Sequence, residues 1–152
     1  MGELATRMHQ WLVIVQLVCT LMMGGLCLFV AVVHYPLLSR VGRGEFIAYE
    51  REHARRTSWV VAPVMLLEAG SATLVTVLAP AGAVWRGWPG LAALGLLACV
   101  WVITFAVNVP QHGRLSLAWD ARTHLALVIS HWARTLVWLA RGVIVAWLSV
   151  VG

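Results

Sequence analysis

The sequence predicts an all-α, integral membrane four-helix bundle, and three observations carry that prediction. Apolar residues make up 61% of the chain and charged ones only 11%, against roughly 45–50% and 25% in a soluble domain. Four apolar stretches, at residues 11–33, 58–79, 91–109 and 125–151, each come to about the 20 residues that cross a hydrocarbon core. None alternates in the way of a barrel strand. Helices are therefore the spanning structure expected, because backbone groups in lipid have no water to bond. The 152 residues read as a single transmembrane domain, 1–152, without linker, repeat or low-complexity tract.

The first stretch exceeds the roughly 7–15 apolar residues of a secretory signal, and Phe29-Val30-Ala31-Val32-Val33 offers no small-x-small cleavage site. It is expected to stay as an anchor. Residues 45–56, between the first two stretches, are mostly good helix formers. This predicts one long helix running into the second span, with a kink at Pro63. Residues 80–90, rich in Gly, Pro and Trp, predict a short interfacial turn with the Trp85 and Trp88 indoles at headgroup level. Cys19, Cys27 and Cys99 lie inside spans with no Cys-x-x-Cys spacing, which marks them as small packing residues.

Every basic side chain is an arginine. Arg40, Arg43, Arg51, Arg55 and Arg56 fall between the first two spans and Arg114 and Arg122 between the last two, against only Arg7 and Arg86 on the other side. The positive-inside rule then puts the first and third connections in the cytoplasm and both termini outside. The formal charge of +5 is a topology signal with some attraction to anionic lipid, and implies no nucleic-acid partner. An arginine-only basic set suggests a GC-rich genome and hence a bacterial inner membrane. Gly24, Gly25, Gly70 and Gly95 permit close helix contact, either within the chain or between copies in a homo-oligomer.

With that topology, His34, His53, His112, His124 and His131 gather at the cytoplasmic mouth, while His9 lies on the opposite side. At 100° per residue, Asp120, His124 and His131 project within about 40° of one another, with Arg134, Thr135 and Trp138 close by. A polar stripe of this kind should face the bundle interior. Deeper in the membrane, Glu68 lies in the second span and Arg134 and Arg141 in the fourth; an unpaired charge there costs at least about 2.5–3.5 kcal/mol, so Glu68 is expected to pair with Arg141, the nearer in depth, or failing that with Arg134. Gln16, Thr104 and Asn108 are expected to bond between helices.

Imidazoles with a carboxylate bind transition metals, and imidazole also ligates haem iron. The candidate metal ligands are His53, His112, Asp120, His124 and His131, and the candidate cofactor ligands His34 and His112. Glu50-Arg51-Glu52-His53 holds a Glu-x-x-His spacing known from di-iron bundles. With only six acidic residues in the chain, a di-iron centre is short of carboxylates, and Glu50 reads as part of a solvated face. Tyr35 and Tyr49 read equally as supporting donors and as interface anchors.

His34-Tyr35-Pro36 after the first span, Pro110 to Leu115 after the third, and His131-Trp132-Ala133-Arg134 in the fourth resemble the small four-helix membrane family that includes fungal anthrone oxygenases. Pro110, Leu115 and Arg134 occupy matching positions, whereas His112 and His131 stand where that family usually has asparagine. The resemblance implies a compact bundle concerned with oxidation of hydrophobic, often aromatic, compounds.

Two classes of function follow. One is an oxidoreductase or oxygenase whose aromatic or quinone-type substrate enters from the bilayer, with His124 and His131 as ligands or bases and Arg134 stabilising an oxyanion. The other is a non-enzymatic haem- or metal-binding subunit, small carrier or assembly partner.

Overall fold

The computed structural model describes residues 2–152. It contains four helices long and apolar enough to cross a membrane: α1 (Glu3–Leu38), α2 (Phe46–Leu78), α3 (Trp88–Leu115) and α4 (Ala121–Val151). No strand occurs among the described residues. Large apolar side chains cover the outer faces; Val18, Leu67, Val102 and Val143 are all more than half exposed. Such a belt suits lipid and not water. The chain is a multi-pass integral membrane four-helix bundle.

All four helices outrun the apolar stretches that mark them. At about 1.5 Å per residue, α2 is near 50 Å long, so its charged first turns rise well beyond a hydrocarbon core of about 30 Å. The helix runs unbroken through Pro63. α1 and α3 each continue through a π-helical turn, Val30–His34 and Ile103–Asn108. Each π turn stands just ahead of a proline, Pro36 and Pro110 respectively. A proline lacks the N–H that an α-helix would use and crowds the carbonyl four residues back; the wider turn accommodates both. His34 and His112 are thereby held inside continuous helices and not at frayed ends.

α1 packs along both α2 and α4, α3 packs along α4, and α2 and α3 meet only loosely. The core lies in three layers. At the terminal end Val75, Ala79, Trp85, Ala93, Val145 and Leu148 pack together. Met23, Cys27, Met65, Val100 and Trp138 form the middle. Tyr35, Leu38, Phe46, Leu115 and Leu127 close the arginine-rich end.

Two expectations are corrected here. Trp88 is exposed, but Trp85 is buried in the terminal layer, because the 3₁₀ turn Val84–Arg86 folds its indole beneath α2 and α4. Gly90 lets this happen: a Cβ there would lie 1.9 Å from the Trp85 carbonyl oxygen. Cys19 and Cys27 are buried, but Cys99 is exposed on the lipid-facing side of α3.

Candidate functional site

Between the middle and arginine-rich layers, the loose seam of α2 and α3 widens into a cavity of about 530 Å³. Leu26, Val61, Met65 and Trp101 line its apolar body; Tyr35, His53, Thr104, Asn108, His112, His131 and Arg134 line its polar end. Leu66, Phe105 and Val109, on its flank, are each more than half exposed. The cavity therefore opens sideways, where the belt faces lipid. Above it, Arg51 Nε donates to the Ser116 carbonyl at 2.9 Å and ties the start of α2 to the end of α3.

The polar end holds two hydrogen-bonded chains. In the first, His112 Nδ1 meets Glu50 Oε1 at 2.5 Å, and His112 Nε2 meets Tyr35 Oη at 3.1 Å. The carboxylate only accepts, so Nδ1 carries the hydrogen and Nε2 presents its lone pair to the tyrosine hydroxyl. This is the logic of a carboxylate-oriented imidazole base. Glu50 is fully buried, so its reading as a solvated residue is overturned. The helix of residues 45–56 turns that carboxylate inward onto α3, and Glu50 Oε2 has no partner among the described residues.

In the second chain His131 Nε2 donates to the Cys27 carbonyl at 2.9 Å, while Nδ1 accepts from Arg134 Nη2 at 2.9 Å. A carbonyl only accepts and a guanidinium only donates, so both imidazole nitrogens are committed. That corrects the expectation of His131 as a metal ligand or base. It is a positioning residue that orients Arg134, whose Nη1 also donates to Thr104 Oγ1 at 3.2 Å. The guanidinium lies 5.7 Å from the Trp138 ring centroid. Among the described residues no carboxylate pairs with it, and its Nε has no acceptor.

His53 and His34 stack at 4.1 Å between ring centroids, and His53 stands 5.7 Å from His112. His124 is placed apart: it packs on Trp119 at 5.1 Å and does not line the cavity. Asp120 is exposed and caps α4, accepting from the Thr123 amide and hydroxyl at 2.9 and 2.6 Å. Those bonds, the hydroxyl's first, hold its carboxyl below the usual aspartate range. Asp120 and His124 thus leave the expected ligand set for local reasons: Asp120 satisfies the start of its own helix, and the His124 ring packs on Trp119.

No three His, Cys, Asp or Glu side chains among the described residues are grouped to hold a metal ion. His53, His112, Asp120, His124 and His131 do not converge, and the donor set does not fit a metal. A haem would find one uncommitted imidazole nitrogen in the cavity wall, His53 Nε2, since His112 is engaged by Tyr35 and Glu50 and His131 by Cys27 and Arg134.

Between the middle and terminal layers Glu68 and Arg141, both fully buried, form an ion pair. Thr20 Oγ1 donates to Glu68 Oε1 at 2.8 Å, Trp138 Nε1 donates to Glu68 Oε2 at 3.1 Å, and Arg141 Nε donates to the Ala93 carbonyl at 3.1 Å. Gln16 accepts from Ser71, and Asn108 donates to Ser130. The chain matches no protein-family model, no curated protein and no solved structure.

Sequence reasoning set Glu50 on a solvated face and left Tyr35 open between supporting donor and interface anchor. The signal for Glu50 was its Glu-x-x-His spacing to His53, and for Tyr35 its place between His34 and a helix-remodelling proline.

Proposed function

We propose that this protein is a membrane oxidoreductase of oxygenase type, acting on a hydrophobic aromatic or quinone-type molecule that enters the cavity from the bilayer. The observation that carries the reading is that an unpaired guanidinium and a carboxylate-oriented imidazole face one lipid-accessible volume. The apolar body would bury a ring system. Tyr35 would take a proton from an acidic C–H or O–H of the substrate as its own passes to His112 Nε2, with Glu50 balancing the imidazolium. Arg134, held by neutral partners, would stabilise the resulting enolate or phenolate. Such an anion is electron-rich enough to reduce dioxygen. For a substrate methylene, the overall change is CH₂ plus O₂ to a carbonyl plus water. This substrate class is also what the resemblance to the anthrone oxygenase family implies. The arginine-rich mouth would face the cytoplasm of a bacterial inner-membrane protein.

The test separates deprotonation from oxidation. With the protein in lipid nanodiscs under nitrogen in D₂O, anthrone should exchange its C10 hydrogens faster than with empty nanodiscs, as read by mass spectrometry. Admitting air should yield anthraquinone. Arg134→Met should lower the exchange by roughly 10²-fold, the cost of one oxyanion donor. Exchange no faster than with empty nanodiscs would overturn the reading.

A further inference from the structure

A proton taken from a substrate in a lipid-facing cavity must still reach water. We infer that His53, stacked on His34, is the relay that carries it from the Tyr35–His112–Glu50 chain to the arginine-rich face. The inference rests on the function proposed above, and its support is separate geometry.

His53 borders two cavities. It lines the polar end of the substrate cavity and also an outer one of about 330 Å³, bounded by Tyr49, Glu52, His53 and Arg56. No other residue borders both. The imidazole is half-buried and has titratable or charged neighbours on its own helix and on those packed against it. From its own helix come Tyr49, Glu52, Arg56 and Thr57, whose Oγ1 lies 3.3 Å from His53 Nδ1. α1 contributes His34 at 4.1 Å between centroids, with Tyr49 stacked beyond it at 6.3 Å. α3 contributes His112 at 5.7 Å, backed by Glu50. From α4, His131 is held by Cys27 and Arg134 and takes no part. His53 Nε2 makes no hydrogen bond within the described residues, which leaves one nitrogen anchored on Thr57 and the other available.

The transfer balances simply. The substrate C–H or O–H bond breaks and its electron pair stays on the substrate beside Arg134. The proton reaches His112 Nε2 through Tyr35 as the hydrogen on Nδ1 passes to Glu50; from Glu50, whose Oε2 has no other partner among the described residues, it reaches His53 Nε2 through a water in the cavity, and His53 releases it to water in the outer cavity. There Glu52, clamped by Arg55 at 2.7 Å and by Arg56 at 2.5 Å, keeps a carboxylate at the exit. Nothing is oxidised or reduced in these steps. The stacking of His34 on His53 holds the relay ring upright between the two cavities.

Without the relay, a deprotonated substrate takes the same hydrogen back, so exchange with solvent fails while binding survives. His53→Phe keeps the stack on His34 and removes both nitrogens. In nanodiscs with anthrone as the probe, under nitrogen in weakly buffered D₂O, this variant should exchange at least roughly 10-fold more slowly than wild type, a modest part of what a positioned proton-transfer group supplies. Added imidazole should restore the rate. Quenching of tryptophan fluorescence by anthrone should be unchanged. His53→Gln serves as the second variant should the phenylalanine fail to fold, with the same expectation. Wild-type exchange rates in weak buffer, or slow exchange that imidazole does not rescue, would overturn the relay and leave the proposed function standing. Absence of exchange in the wild type would overturn both.

Discussion

Replacing Arg141 by methionine and Glu68 by glutamine, singly and together, isolates the buried ion pair. Arg141→Met strands a fully buried carboxylate that keeps donors from Thr20 and Trp138, which places its cost near the lower end of the roughly 3–5 kcal/mol typical of such breaks. Glu68→Gln strands a guanidinium with the Ala93 carbonyl and Thr20 as its remaining acceptors, for a loss of about 3–5 kcal/mol. In the double variant no charge is stranded. The glutamine oxygen still accepts from Thr20 and Trp138, and the chief loss is the bond to the Ala93 carbonyl, so the cost falls to about 1–2 kcal/mol. The coupling is then about 4 kcal/mol or more, far outside the roughly 0.5 kcal/mol by which independent sites deviate from additivity. Reversible unfolding in mixed micelles, followed by tryptophan fluorescence, measures it. A double variant whose loss equals the sum of the singles would refute the reasoning.

Four further outcomes follow from the site. Glu50→Gln keeps the shape but removes the acceptor-only partner of His112 Nδ1; anthrone exchange should fall by roughly 10²–10⁴-fold with helicity retained, as circular dichroism checks. Ala62→Trp, placed where α2 lines the cavity, should abolish anthrone quenching of the native fluorescence without lowering the unfolding temperature; undiminished quenching would argue against access through this seam. His124→Ala should leave the exchange rate within about 2-fold of wild type, since its ring packs on Trp119 outside the cavity and bonds to none of the side chains that hold the proton chain. Asp120 has a depressed carboxyl in the folded protein, so its cap on α4 is intact above the ordinary aspartate range and is lost as pH falls through the lowered value. Hydrogen exchange of the Thr123 and His124 amides should accelerate over that acid window in wild type, and already at neutral pH in Asp120→Ala.

The sequence by itself determined the architecture. Four apolar runs, flanked by arginines and by the Gly, Pro and Trp of residues 80–90, leave a chain in lipid little choice but helices, because backbone hydrogen bonds must be satisfied inside each segment. The helical character of residues 46–56 was legible from propensity, and a Glu68–Arg141 pairing from depth alone, since charge in hydrocarbon seeks its opposite within a narrow range of positions. Helix periodicity also turned His131, Thr135 and Trp138 inward. Tertiary structure decided what those residues bond. Asp120 and His124 share a face with His131, yet the one is occupied by the start of its own helix and the other by Trp119. His131 faces the cavity, yet both its nitrogens are committed, by a carbonyl on α1 and a guanidinium one turn on. Glu50 sits in a run of charges that reads as solvated, and only the packing of α2 against α3 turns it onto His112. The physical reason is common to all three. Periodicity and depth are properties of one helix, set by the bilayer and the 3.6-residue turn, whereas the hydrogen-bond partner of a buried side chain is set by which neighbouring helix reaches it first.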